Sequence, residues 1–371
     1  MINHHILKNK FTPYLFTGSY HPDDCQFLLT PLQIETLSIS KKEKLIQSGK
    51  KHYSEIISTE SLPSPLYIKL FKKLTQQYKK RLAREVIDLA YHIAQIYPTP
   101  ITLVSLARAG TPIGVLLQRA LSRHLHIDSQ HYSISIIRDR GIDQQALSFL
   151  LNVHRRPAAG IVFIDGWTAK GIITQEFKQA IADWNRSHYG NQINNALYVI
   201  SDIAGIADGA ATYEDYPIPS GILNALVSGL ISRTILNNHI QIGQFHGCIY
   251  YNHLQPYDLS NWFIDEVESE MDPKQIKSLS FESRINRFYQ TKFYLEKCTK
   301  EYGIENINYI KPGIAEATRV ILRRIPERIL LKNPDSDQVA HLVFLAKEKQ
   351  VVIDYKPEMP FAAMTFIKTI I

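Results

Sequence analysis

Residues Phe163 to Thr174 read Phe-Ile-Asp-Gly-Trp-Thr-Ala-Lys-Gly-Ile-Ile-Thr, and they set a carboxylate, a hydroxyl and an amine close together between two patterned segments. The apolar run from Gly160 to Ile164 predicts a buried strand, and the amphipathic stretch from Thr174 to Trp184 predicts a helix. A parallel strand that passes through a short turn into a helix opens on the crevice where ligands of α/β sheets sit. The helix presents unpaired N–H groups and its positive dipole end to an anion there. Asp165 is then placed for ribose hydroxyls or a metal, and Thr168, Lys170 and Gly171 for a phosphate. The bland alternative is a structural turn of the kind every doubly wound protein contains.

A second constellation is Phe245-His246-Gly247-Cys248. On a strand, His246 and Cys248 share a face, and a thiol nucleophile needs a base within hydrogen-bond reach. The competing reading is an inert buried thiol, the usual fate of a free cysteine. His4-His5 and the group His124, His126 and His131 lack a spacing that fits a metal, so they read as surface or core histidines. No Gly-x-Ser-x-Gly elbow occurs. The three cysteines, Cys25, Cys248 and Cys298, form neither a disulfide framework nor a zinc pattern, which points to a reducing cytoplasm. The absence of a long apolar run and of a charged leader at Met1 predicts a soluble, unexported protein with no membrane partner.

The elements that must position these residues emerge from changes of period. A chain of 371 residues, 45% apolar, suits two or three domains at roughly 100–200 residues each. The net charge is +7, yet Lys41 to Arg81 alone holds eleven Lys and Arg against three Glu, either a phosphate-attracting face or a solvated helix surface. The first 65 residues, punctuated by Pro13, Pro22, Pro31, Pro63 and Pro65, read as an N-terminal extension laid on the core. Tyr78 to Ile96 has helical spacing. Strands then alternate with helices: Ile101 to Leu106, Gly114 to Leu125, His131 to Ile137, Asp143 to Val153, the strand at Ile161, the helix at Thr174 and the strand Ala196 to Ser201. This alternation implies right-handed crossovers and a parallel sheet covered on both faces. Asp202 to Ser220 reads as a loop, Ile222 to Leu236 as a helix, and Pro273 to Tyr302 as a charged helical bridge. From Asn306 onward a smaller βαβαβ pattern restarts, with helices at Ile314 to Arg324 and Asp337 to Lys349.

Three pieces together carry a resemblance: Ser105 to Gly114 with Arg108, Ala109 and Gly110, the run Arg138-Asp139-Arg140-Gly141-Ile142-Asp143, and the Asp165 turn. They resemble the phosphoribosyltransferase-like family found beside tellurite-resistance stress genes, which also carries the name cysteine protease StiP and ends in a Pelota-type RNA-binding domain. Phe16 to Tyr20, Leu45 to Tyr53 and Ile310 to Lys368 resemble the same family, so the likeness spans nearly the whole chain.

The resemblance implies an α/β protein. A parallel-sheet, type I phosphoribosyltransferase-like domain over residues 1–300 would precede a small α/β Pelota-like domain over residues 303–371. It also implies Mg²⁺-dependent transfer of phosphoribose from phosphoribosyl pyrophosphate (PRPP) to a base or related acceptor, giving a nucleoside-like product. Such chemistry is mostly positioning and electrostatic stabilisation. Arg108, Arg138, Arg140 and Asp165 would be catalytic, with Arg138 and Arg140 in a cationic lid. Ala109, Gly110, Asp165, Gly166, Thr168, Ala169, Lys170 and Gly171 would hold PRPP. The turn departs from the pattern of ordinary type I phosphoribosyltransferases, because Gly166 stands in place of a second acid and Ala169 in place of a glycine. Lys311, Arg319, Arg323 and Arg324 form the candidate face for structured RNA. Cys248 with His246 is the alternative, peptidase site, and a nucleotide or RNA sensor without turnover is a third reading.

Overall fold

The computed structural model describes residues 15–281 and 283–370, so His4-His5 lies outside them. The chain opens with β1 (Gln26–Leu28), β2 (Thr30–Pro31), α1 (Ile39–Gln47) and α2 (Pro65–Ile96). Ser38 and Ser64 cap the two helices, their side-chain oxygens accepting from the backbone N–H groups of Lys41 and Tyr67. Pro65 sits in the first turn of α2, where a missing N–H costs nothing. The expected helix from Tyr78 therefore begins a dozen or so residues earlier, at Pro65.

The alternation that follows is β3 (Ile101–Ala107), α3 (Thr111–Arg119), β4 (Ser129–Ile137), β5 (Gly141–Ile142), α4 (Gln144–Ser148), β6 (Ile161–Thr168), α5 (Ile172–Ser187), β7 (Leu197–Asp202) and β8 (Gly209–Thr212). The sheet runs β1-β4-β3-β6-β7-β8 with every neighbour parallel, and β5 folds back antiparallel on β4. Apolar side chains of β3, β6 and β7 are buried on both faces, as a parallel sheet covered by helices requires. The N-terminal segment is more than an extension laid on the core. β1 is a strand of this sheet, and Phe27, Leu28 and Leu29 are fully buried.

Ile222 to Leu236 is not a helix. It holds a short 3-10 turn at Ala225–Val227 and isolated bridges Ile231 to Tyr250 and Ile235 to Gly247. Gly229 and Leu230 both take positive φ, which ends any helical path through them. Beyond it come β9 (Gly247–Cys248), parallel to β2, then α6 (Ser260–Glu268) and α7 (Arg284–Glu301).

The C-terminal part comprises β10 (Ile310–Pro312), α8 (Ile314–Arg323), β11 (Pro326–Leu331), α9 (Ala340–Lys349), β12 (Val352–Tyr355) and β13 (Ala363–Ile367). Its sheet order is β10-β13-β11-β12. β13, absent from the βαβαβ expectation, pairs antiparallel with β10 and β11, and all of its residues are buried. One apolar core joins the two sheets, running from Leu82 and Val86 of α2 to Ile321 of α8 and Leu342 of α9. No helix among the described residues is long and apolar enough to cross a membrane.

Candidate functional site

The ends of β3 and β6 meet where the sequence places its first constellation. Gly110 precedes α3, and a Cβ there would lie 2.7 Å from the Ile164 carbonyl oxygen and 3.0 Å from the Asp165 Cα. A Cβ on Gly166 would lie 3.1 Å from the Ala109 carbonyl oxygen. These glycines let the two turns pack against each other, a use of glycine different from the expected approach to a ligand. The Asp165 carboxylate accepts from the Gly166 N–H at 2.7 Å, and burial raises its pKa to about 7.

β6 continues past Asp165 to Thr168, whose hydroxyl donates to Asp202 Oδ1 at 2.5 Å and accepts from the Ala204 N–H at 3.1 Å. Ala169 and Lys170 therefore lie beyond the strand end. Lys170 donates from Nζ to the Ile307 carbonyl, and burial, followed by the Lys311 charge, lowers it to about 6. Gly171, at φ +86°, stands before α5, and the Ile206 side chain lies where its Cβ would be.

The three arginines are anchored by protein groups. Arg108 is buried and donates to the Ile231 carbonyl and to Glu60. The Arg138 backbone N–H donates to the Tyr53 hydroxyl at 2.7 Å, and its guanidinium pairs with Asp139. Arg140 pairs with Glu55 at 2.8 Å. The expected lid cations are thus tied to the segment that follows α1.

The C-terminal part sits directly on these strand ends. Asp215 accepts from the N–H groups of Ile314, Ala362 and Ala363, which seats the start of α8. Trp167 donates to Glu316, which also pairs with Arg319 at 2.6 Å, and the Arg319 guanidinium lies over the Trp167 ring. Arg323 donates to Asn224, Arg324 pairs with Glu43, and the Lys42 amine donates to the Arg323 carbonyl at 2.9 Å. Burial lowers Lys311 to about 8. The cations expected as an outward RNA face are turned inward, because the apolar face of α8 packs on the core and draws the flanking side chains into the seam.

The second constellation is also enclosed. Cys248 is fully buried, and burial pushes its thiol far above the usual range. The ring of His246 shares a hydrogen bond between Nδ1 and Ser135 Oγ at 2.8 Å, while its backbone N–H donates to Asp143 at 2.6 Å. Burial lowers the His246 pKa and so favours the neutral imidazole. Ser135 and Asp143, neither of them a candidate site residue in the sequence, are hydrogen-bond partners of His246. Cys25 and Cys298 are buried too. His131 is a core histidine, bonded to the Asp24 carbonyl and Ser105, with its pKa lowered to about 4 by burial. Among the described residues no group of three or more His, Cys, Asp or Glu is arranged to hold a metal.

Sequence reasoning missed Glu60, Asn224, Arg233, Glu316 and Asp215. With Lys42, the first three and Arg323 line a cleft between α1, the Ile222 to Leu236 segment and α8. The charge excess over Lys41 to Arg81 was its one trace in the sequence. Of that segment's lysines and arginines Lys42 alone lines the cleft, whereas Lys69, Lys72, Lys73 and Lys80 are exposed on α2 as a solvated surface.

The sequence model of the family described as "Tellurite-like stress resistance cysteine protease StiP" matches residues 18–268, and that of the "PELOTA RNA binding domain" matches residues 289–369. The chain is 42% identical to a protein of Acinetobacter baylyi named "Cysteine protease StiP", over 98% of each chain. An archaeal alanine:glyoxylate aminotransferase structure aligns over 89% of each chain at 9% identity, and its TM-score of 0.22 carries no argument. The chain belongs to the StiP family and carries a Pelota-type C-terminal domain. The expectation of phosphoribosyl transfer from PRPP is corrected by these relationships, which name a cysteine protease. The Thr168 hydroxyl is committed to Asp202, the Lys170 amine to Ile307, and the approach to α5 to Ile206.

Proposed function

We propose that this protein is a thiol-dependent peptidase acting in a tellurite-like stress response, with Cys248 as nucleophile, His246 as its base, and a C-terminal domain that binds RNA. The observation that carries the reading is the 42% identity along the full length to a protein named cysteine protease. Cys248 and His246 are separated by one residue, and the neutral imidazole is the form that accepts a proton. The thiolate would attack a peptide carbonyl. The protonated imidazole would return the proton to the leaving amine, and water would then hydrolyse the acyl-enzyme.

Reaching that state requires the thiol to be uncovered. β9 is held on one side by β2, over two residues each with Thr30 and Leu32 donating backbone N–H bonds to the His246 and Cys248 carbonyls, and on the other by the bridge from Ile235 to Gly247. Cys248 packs in the main apolar core and the His246 ring is held by Ser135 of β4, so access to the pair requires β2 to part from β9 and the ring to leave Ser135.

Cys248→Ser is expected to abolish cleavage of a casein or peptide-library substrate, and iodoacetamide to abolish it in the parent protein. Undiminished cleavage in Cys248→Ser would remove this residue from the site. A second reading rests on the burial of Cys25, Cys248 and Cys298: an RNA sensor without turnover. RNA binding with no thiol-sensitive cleavage under any condition that opens β2 from β9 would favour it.

A further inference from the structure

Helix α7 joins the body to the C-terminal sheet with one face packed and the other bare. Thr291, Tyr294, Leu295 and Cys298 are buried, and the last three belong to the core beneath β10, β11 and β13. On the opposite face Ile285, Tyr289 and Phe293 follow one another four residues apart, 57%, 61% and 73% exposed. At about 100° per residue, Lys292, Lys297 and Lys300 fall within the same arc, together with Asn286 and Glu296. All three lysines are exposed, and Glu296 is the one acid among them. Arg284 and Arg287 are used elsewhere, donating to the Ile206 and Pro360 carbonyls.

Large apolar side chains standing in water on a helix ask for a partner. Three cations against one acid fix its sign as negative, and aromatic rings spaced along a cationic face suit stacked, unpaired bases. Bases offer π-faces to the rings while their phosphates meet the lysines. The segment matched to an RNA-binding domain begins at Tyr289, within this helix. The cations of α8 cannot serve as an outward face, because they are turned into the seam with the body.

We infer that the exposed face of α7 is a platform for single-stranded RNA, with Tyr289 and Phe293 stacking on bases and Lys292, Lys297 and Lys300 contacting phosphates. This rests on the RNA-binding reading of the C-terminal domain and names the surface that would perform it.

The test uses the full-length protein and fluorescence anisotropy with labelled oligouridine and a labelled RNA duplex. The parent protein is expected to bind oligouridine more tightly than the duplex. Tyr289→Ala with Phe293→Ala should weaken oligouridine binding by on the order of tenfold per ring, while Tyr289→Phe should retain it. Lys292→Ala with Lys297→Ala should reduce the salt slope by about one to two. All four side chains are exposed, so the variants keep the parent's melting temperature as a control on folding. Binding by the parent that survives both double variants would reject the α7 face while leaving RNA binding intact. No binding by the parent even at low salt would reject the RNA reading and the platform with it. A dimer seen by sedimentation and dispersed by Tyr289→Ala with Phe293→Ala, with no effect on RNA, would reassign the stripe to contact between copies of this chain.

Discussion

Asp165 holds its proton up to near neutrality because desolvation outweighs both the Gly166 N–H and the Arg319 charge. A carboxyl whose pKa is raised from about 4 in the unfolded chain to about 7 in the folded one binds more protons when folded between those values. Its stabilisation is complete below the unfolded pKa and is lost as pH rises through the folded pKa. Asp165→Asn should therefore flatten part of the fall in stability between pH 4 and 6. Discounted for partial exposure, the difference is about 1–2 kcal/mol. Urea unfolding of both proteins across that window checks it, and parallel curves would place Asp165 in a more polar setting. The window lies at or below the titrations of Lys170, near 6, and of Lys42 and Lys311, near 8, while Asp215, near 6, is common to both proteins.

Elements meet closely at the turn between β3 and α3. The Gly110 backbone runs so close to β6 that an added Cβ meets the Ile164 carbonyl oxygen and the Asp165 Cα, both backbone atoms that no rotamer change can move. Gly110→Ala should cost about 1–3 kcal/mol and lower the melting temperature by several degrees, since the strand itself must shift. An unchanged melting temperature would show that β3 and β6 can separate there at little cost. Helix α8 shows the reverse case, in which contact is gained at an element's start. Its N-terminal N–H at Ile314 is satisfied by Asp215 from the body, so this helix is capped from outside its own sheet.

At the scale of the whole molecule, one apolar core runs between the seven-stranded and the four-stranded sheet. The main core contains α2, α8 and α9 together, and the smaller core beneath the second sheet takes Tyr294, Leu295 and Cys298 from α7. Gln47 of α1 donates to the Lys368 carbonyl and accepts from the Ile370 N–H, tying the segment after β13 to α1. Calorimetry should therefore show one cooperative transition for the full chain, with equal calorimetric and van't Hoff enthalpies. A fragment of residues 303–371 lacks α7 and exposes the α8 face, and should give a broad, weakly cooperative melt. Two separate transitions in the full chain, or a sharp melt of the fragment, would show that the C-terminal part stands alone.

The alternation of β-branched runs with amphipathic ones was enough, by itself, to read the central strands and helices, since a buried parallel strand must be apolar on both faces and its helix on only one. The sequence also named the StiP family and the Pelota-type ending through the segments around Arg108, Arg138 and Asp165 and from Ile310 on. β1 and β13 were illegible, because each is a short strand whose pairing is supplied by residues far away in the chain. The failed helix at Ile222 to Leu236 has the apolar content of a helix, and it is broken by the non-helical backbone of Asn224 and Ser228 and by Gly229 and Leu230 in the left-handed region. Partnership was decided by tertiary structure alone. Lys170 meets the Ile307 carbonyl, Arg323 meets Asn224 and Glu43 meets Arg324 only once the second sheet settles on the first. A side chain's type fixes what it can do, whereas its direction depends on which neighbouring element buries the other face, and that information is not local in the chain.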